Sequence, residues 1–327
     1  MKLLVIGDED RFWKYLPKSD FTSQVDCVVV PRGTDDDKII AAAPDADFIL
    51  SDTICTVSGQ VIAALPNLKL VHTEGVAYNM IDVKAARDRG IPVCNCKGCN
   101  DGAVAEQAIL LMLACLRDAV SGDEAVRAGR QIETKEAFMK GGLRELGDCK
   151  VGLIGAGDTG KATMRRLVNW NCPVTYYKRT PLSPQEEQEL NASYEPLDQL
   201  LATSDIVSLH VPVTGETQGM VDSAFIGKMK KGSLLINTAR GAIVDNQALA
   251  DALVLGHLGG AGLDTLDPEP VTVDNILLNL PGDASRRIVF SPHMGGITEG
   301  TFLRVHSTVW ENFSRVARGE QPINIVN

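Results

Sequence analysis

Short apolar, β-branched runs recur along the chain, with helix-like stretches between them. KLLVIG (2–7), DCVVVP (26–31), DFILSD (47–52), LKLVHTEG (68–75) and IPVCN (91–95) predict five strands in the first hundred residues. Helical spacing appears between them, as in DDKIIAAAP (36–44) and GQVIAALP (59–66). A second series follows: KVGLIGAG (150–157), PVTYYKR (173–179), SDIVSLH (204–210), GSLLINTA (232–239), GGAGLDT (259–265) and RIVFSPH (287–293). Strands that alternate with helices imply a parallel sheet covered on both faces, and two series imply two such α/β domains. Between the series, AVAEQAILLMLACLRDAVSGDEAVRAG (103–129) is apolar nearly all round in its first half, which predicts a buried helix crossing between domains. The final stretch keeps helical spacing to Arg318 and could return the chain to the first domain.

Composition narrows the class. The chain has 327 residues and 44% hydrophobic content, enough for two cores. A net charge of −10 without any basic run argues against nucleic acid as a partner. The most apolar stretch, AILLMLACL (108–116), is far shorter than the roughly 20 residues a membrane span needs. The opening MKLLVIGDED reads as a strand rather than a signal peptide, so the expectation is a cytoplasmic protein with free thiols. Cys94, Cys96 and Cys99 have C-x-C-x-x-C spacing, but no second Cys pair or spaced His follows nearby. The expectation is a strand-to-helix turn with no metal.

The most informative motif is Gly155-Ala156-Gly157-Asp158-Thr159-Gly160, a G-x-G-x-x-G directly after an apolar run and before KATMRRLVNW. In that context it predicts a dinucleotide site: Gly155 for the tight turn, Gly157 for approach of the pyrophosphate, Gly160 for helix–strand packing. About 20 residues on, an NAD site needs an acid for the ribose hydroxyls. This chain has Lys178, Arg179 and Thr180 there, which suits the 2′-phosphate of NADP(H), with NAD(H) the alternative. NTARGAIVD (237–245) sets Arg240 at a strand's carboxyl end, where ligands bind in open α/β sheets. LDTLDPEP (263–270) carries Asp264 and Glu269, and FSPHMGG (290–296) carries His293. An Arg, a Glu and a His at strand ends form an acid–base set, in which a nearby Glu stabilises a protonated His as proton donor. The other four histidines (72, 210, 257, 306) lack such a setting in the sequence and read as structural.

These motifs, in this order, resemble the D-isomer-specific 2-hydroxyacid dehydrogenases over the whole chain. EGVAYNMID (74–82) is similar to that family's substrate loop, NDGAVAEQ (100–107) to its interdomain helix start, and GEQPINIVN (319–327) to its usual ending. The resemblance implies two Rossmann-like, doubly wound parallel-sheet domains with an active-site cleft between them. The substrate domain would be 1–102 with 295–327, and the nucleotide domain 103–294. It implies that Arg240 binds the carboxylate and carbonyl oxygen of a small 2-oxo acid, that His293 exchanges a proton with that oxygen, and that Glu269 orients His293. The backbone amides of Val76 and Ala77 would complete the carboxylate pocket. Asp264, with the backbone of Thr238, Ala239 and Arg240, would fix the nicotinamide; Val211 would line the coenzyme groove, and Gly295 would lie against the coenzyme. A homodimer is implied. YYKRT (176–180) is similar to the Arg-containing loop of NADPH-linked members. The expected activity is therefore NADP(H)-linked reduction of a small 2-oxo acid such as glyoxylate or hydroxypyruvate. The alternatives are an NAD-linked D-2-hydroxyacid dehydrogenase and a nucleotide-sensing protein like the corepressors on this fold. LSDTI (50–54) lacks the basic residue that some members place near substrate, which makes phosphorylated substrates less expected. PGDASRR (281–287) resembles a small insertion without an assigned role.

Overall fold

The computed structural model describes residues 1–327, which form two compact units. The first contains residues 1–100 and 297–327, the second 101–296.

In the first unit, β1 (Lys2–Ile6), β2 (Asp26–Val30), β3 (Phe48–Ser51), β4 (Leu70–Thr73) and β5 (Val93–Cys94) form one parallel sheet in the order β2-β1-β3-β4-β5. The central strands are buried on both faces, which explains why they read as continuous apolar runs instead of alternating ones. The period of two still decides where each side chain goes. Leu4 and Ile6 enter a core with Ile39, Val61 and Ile62, while Leu3 and Val5 enter one with Phe12, Val309 and Phe313. The helix Glu299–Ala317 supplies Val309 and Phe313. Beyond it the chain end pairs with the β5 edge, Val326 N–H donating to Val93 C=O at 2.8 Å. That cover removes an exposed strand edge.

The second unit holds β6 (Val151–Ile154), β7 (Val174–Tyr177), β8 (Ser193–Tyr194), β9 (Ile206–Leu209), β10 (Leu234–Asn237), β11 (Gly260–Leu263) and β12 (Ile288–Phe290). All pair in parallel, in the order β12-β11-β10-β9-β6-β7-β8. The strand order reverses between β6 and β9, the place where open α/β sheets bind ligands beyond their carboxyl ends. The hydrophobic pattern does not reveal β8: it is two exposed residues at the sheet edge. The first half of 103–129 lies in a buried helix, as its pattern predicts, and the second half forms a separate one. Asp101–Leu116 ends before Asp118, whose φ of 46° breaks the ladder, and Ala119–Arg127 follows. No helix is long and apolar enough to cross a membrane.

Candidate active site

Almost every candidate residue of the second unit follows the carboxyl end of one of its strands. The glycine turn follows β6, Lys178 follows β7, Val211 follows β9, Arg240 follows β10, Asp264 follows β11 and His293 follows β12. Parallel strands present all these ends at one rim of the sheet.

The glycine turn is packed so closely that side chains are excluded. Gly155 has φ of +103°, and a Cβ there would lie 2.5 Å from the His210 carbonyl oxygen and 2.9 Å from Val211 Cγ1. A Cβ on Gly160 would lie 2.3 Å from the Gly155 carbonyl oxygen, so the helix Asp158–Leu167 can abut the strand only with glycine there. The Gly155 N–H donates to the Tyr177 carbonyl at 2.9 Å, which ties this turn to the end of β7. At Gly157, by contrast, a Cβ would meet nothing within 4 Å. That open face lies at the N-terminus of this helix, the end whose dipole favours an anion. Thr159 donates its hydroxyl to Asp101 Oδ1 at 3.2 Å. Beyond β7, Lys178 is half-buried; Arg179 and Thr180 are exposed. Arg179 Nη1 already pairs with Glu216 Oε2 at 3.1 Å, a surface ion pair absent from the sequence reading.

At β10, the buried Asn237 organises the turn. Its amide donates to the Arg240 carbonyl at 2.8 Å and its oxygen accepts from Ala239 N–H at 2.9 Å. The exposed Arg240 guanidinium touches only the Ala239 carbonyl, at 2.7 Å. Thr238 next to it has a buried hydroxyl without a partner. An orphaned buried hydroxyl costs free energy, so a group arriving at this rim could satisfy it. Together with the open face at Gly157, this fits a dinucleotide.

Asp264 is only 3% exposed and gathers the loop after β12. Its Oδ1 accepts from Ser291 Oγ at 2.6 Å and from Met294 N–H at 3.0 Å, and its Oδ2 accepts from Gly295 N–H at 2.8 Å. Its main-chain carbonyl accepts from His293 N–H at 2.8 Å. Gln107 supports Ser291 from the helix Asp101–Leu116, at 2.9 Å. These bonds hold His293 at φ +53°, a left-handed conformation that costs a non-glycine residue on the order of 1 kcal/mol and is concentrated at functional sites. His293 Nδ1 hydrogen-bonds Glu269 Oε1. Both side chains stay open to solvent, at 41% and 47%. The structure thus brings His293, Glu269, Asp264 and Gly295 together. Arg240 lies one strand away from Asp264 along the same rim.

Val76 and Ala77 belong to the first unit, in the loop after β4. Three carbonyls of this loop accept hydrogen bonds from inside the unit: Gly75 from Cys96 N–H at 2.7 Å, Val76 from Asn95 Nδ2 at 2.8 Å, Ala77 from Thr73 Oγ1 at 2.9 Å. At the root of the loop lies a charge network that the sequence conceals. Glu74 binds His306 Nε2 at 2.8 Å and Arg11, whose Nη2 also reaches Asp52 Oδ2 at 2.7 Å; Arg32 approaches the same Asp52 oxygen at 2.7 Å. Burial alone would raise the Asp52 pKa, but Arg11 and Arg32 outweigh it and hold the carboxyl below its ordinary value. His306 therefore does have a carboxylate partner, contrary to the sequence expectation, because the last helix brings it beside a loop 232 residues away. Basic residues also stand near LSDTI after all, supplied by other elements, though Asp52 and Glu74 occupy them. His72 and His210 are both pushed down to about 4, by burial first. Cys94, Cys96 and Cys99 are buried. Burial raises the Cys94 thiol to about 12; the Cys99 side chain, then burial, raises that of Cys96. The segment 281–287 contains a 3₁₀ turn, Gly282–Arg287, with Ala284 buried in the β9–β12 core.

Comparison with known proteins bears on this geometry. Residues 109–295 match the family described as D-isomer specific 2-hydroxyacid dehydrogenase, NAD binding domain. The chain is 36% identical over 289 residues to a glyoxylate reductase of Korarchaeum cryptofilum, covering 88% of this chain and 85% of that protein. It is 36% identical over 295 residues to a D-3-phosphoglycerate dehydrogenase of Mycobacterium tuberculosis, covering 90% of this chain but 54% of that longer one. Among solved structures, apo D-mandelate dehydrogenase of Rhodotorula graminis is similar with a TM-score of 0.83 and 25% identity, over 100% of this chain and 97% of that one.

Proposed function

The chain belongs to the D-isomer specific 2-hydroxyacid dehydrogenases and is an NAD(P)-linked enzyme of that class, and on that premise we propose that it reduces a small 2-oxo acid such as glyoxylate or hydroxypyruvate with NADP(H). The observation that carries this proposal is the set Arg240, Asp264–Glu269 and His293 at the ends of three adjacent strands, in the unit that also bears the glycine turn.

The roles follow from chemistry. A bound reduced nicotinamide supplies a hydride to C2 of the 2-oxo acid. Arg240 has its guanidinium free of any carboxylate partner, so it can take the substrate carboxylate and polarise the carbonyl. His293, protonated, gives its proton to the carbonyl oxygen as negative charge develops there; in the oxidative direction it removes that proton. Glu269 holds the imidazole by Nδ1, which leaves Nε2 for the substrate. Asp264 keeps the His293 loop in place. Asp264 and the Thr238–Arg240 backbone would hold the nicotinamide end, and Gly155–Gly160 the pyrophosphate, with Val211 beneath and Gly295 beside. From the first unit, the Val76 and Ala77 amides would bind the substrate carboxylate.

Coenzyme choice rests on Lys178, Arg179 and Thr180. A 2′-phosphate offers more charge than the Glu216 carboxylate and would draw Arg179 from it. NAD(H) preference is the second reading, favoured by that same Glu216 pair. The test is loss of nicotinamide absorbance with NADPH and NADH in parallel across 2-oxo acids of increasing size, for wild type and Lys178→Ala. Selective loss with NADPH in the variant supports the proposal; wild-type preference for NADH overturns the coenzyme assignment and leaves the catalytic set standing. A homodimer is part of the proposal. The helix Gln131–Gly141 buries none of its residues within the chain and exposes Ile132 at 64% and Met139 at 74%, so it lacks the packing that usually stabilises a helix of 11 residues. Light scattering on the purified protein measures the mass directly.

A further inference from the structure

We propose that Thr73 and Asn95 are positioning residues for the substrate carboxylate, acting through the backbone of Gly75–Tyr78. This rests on the assignment of the Val76 and Ala77 amides as a carboxylate site.

A peptide group is planar and trans, so each C=O points opposite to the N–H of the next residue. Fixing the carbonyl of Gly75 fixes the N–H of Val76; fixing Val76 fixes Ala77; fixing Ala77 fixes Tyr78. All three carbonyls are held, and by donors from the interior: Cys96 N–H, the Asn95 amide and the Thr73 hydroxyl, on residues 0%, 6% and 1% exposed. The carbonyls are thereby turned inward and the N–H groups of Val76, Ala77 and Tyr78 outward, where they make no hydrogen bond within the chain. Successive N–H groups without partners form a concavity for an anion.

The donors are themselves fixed. Thr73 ends β4, and its carbonyl accepts from His72 Nδ1 at 2.8 Å, while Asn312 donates to His72 Nε2 at 3.0 Å. His72 is thus neutral with its proton on Nδ1. Asn95 donates its N–H to Asn324 C=O at 3.2 Å, and its side-chain oxygen accepts from Lys97 N–H at 3.2 Å. The loop is therefore set before an anion arrives, which reduces the ordering cost of binding. Neither side chain need touch substrate.

Thr73→Val keeps the shape of the side chain and removes only the donor to Ala77. The experiment compares wild type, Thr73→Val, Thr73→Ser and Asn95→Ala in steady-state reduction of the best 2-oxo acid, with melting temperatures recorded. Because the amides hold the carboxylate in ground and transition states alike, Thr73→Val should raise KM for the 2-oxo acid about tenfold with kcat within about twofold. KM for the coenzyme should not move, and Thr73→Ser should restore the wild-type value. Asn95→Ala should reproduce the split and replaces Thr73→Val if that variant does not fold. An unchanged 2-oxo-acid KM in a folded variant overturns the inference. So does failure of Thr73→Ser to rescue, or an equal change in coenzyme KM. If wild type itself turns over no 2-oxo acid, the functional assignment fails first, and this inference with it.

Discussion

The molecule contains two histidine–glutamate pairs, one in each unit, and they differ in almost everything but chemistry. His293 and Glu269 stand at the rim of the second sheet with more than two fifths of each side chain exposed. His306 and Glu74 lie inside the first unit, at 0% and 6%, with Arg11 on the second carboxylate oxygen. The exposed pair can pass a proton to something that arrives from solvent. The buried pair is shut away from solvent, with His306 bonded through Nε2 alone; it joins the last helix to the root of the loop after β4. Pairing a His with a Glu is thus not a catalytic signature. Access decides it, and access is a property of packing.

The sharpest way to break this comparison is to remove each histidine's function separately. His293→Asn should lower kcat by about 10²–10⁴-fold, the usual worth of a general acid, with the melting temperature nearly unchanged. A large drop in stability instead would put both pairs in one class. Glu74→Ala should do the reverse. Taking one member from a buried charge network costs about 3–5 kcal/mol, read by urea denaturation, since Arg11 and His306 lose their shared partner. A stability loss below about 1 kcal/mol would show that water reaches the network.

His72 sharpens the contrast as a buried histidine with no carboxylate at all. Burial lowers its pKa to about 4 from the ordinary 6.5, so the unfolded chain binds a proton there that the folded protein refuses. Stability is full above about pH 6.5 and is lost as pH falls toward 4, by about 3 kcal/mol in all. His72→Gln should flatten this acid slope, although it also disturbs the bond to Thr73. Smallest is Glu269→Gln, which keeps the hydrogen-bonding shape but not the charge. It should lower kcat/KM about 10–100-fold with stability unchanged, because the imidazole loses the charged acceptor that orients it. Equal activity would leave Glu269 with a purely steric role.

The proposed catalytic set was legible because its members lie just past apolar strands, and strands announce themselves by runs that any window reveals. The glycine turn was legible for the same reason, its spacing being local. Asn237, Gln107 and Ser291 were not, since Asn and Ser near strand ends are commonplace and only their partners distinguish them. Nor were Glu74 with His306, or the pairing of Arg179 with Glu216.

Local sequence was enough for the two strand series, the glycine turn after β6, and the order of motifs that marks the family. These depend on periodicity and on neighbours within a few residues. Packing settled which His–Glu pair is open to solvent, that Arg11 and Arg32 pair with Asp52 and Glu74, and that interior donors hold the carbonyls of residues 75–77. Those outcomes depend on burial and on hydrogen bonds between residues far apart in the chain, and neither quantity exists until the sheets and helices have packed.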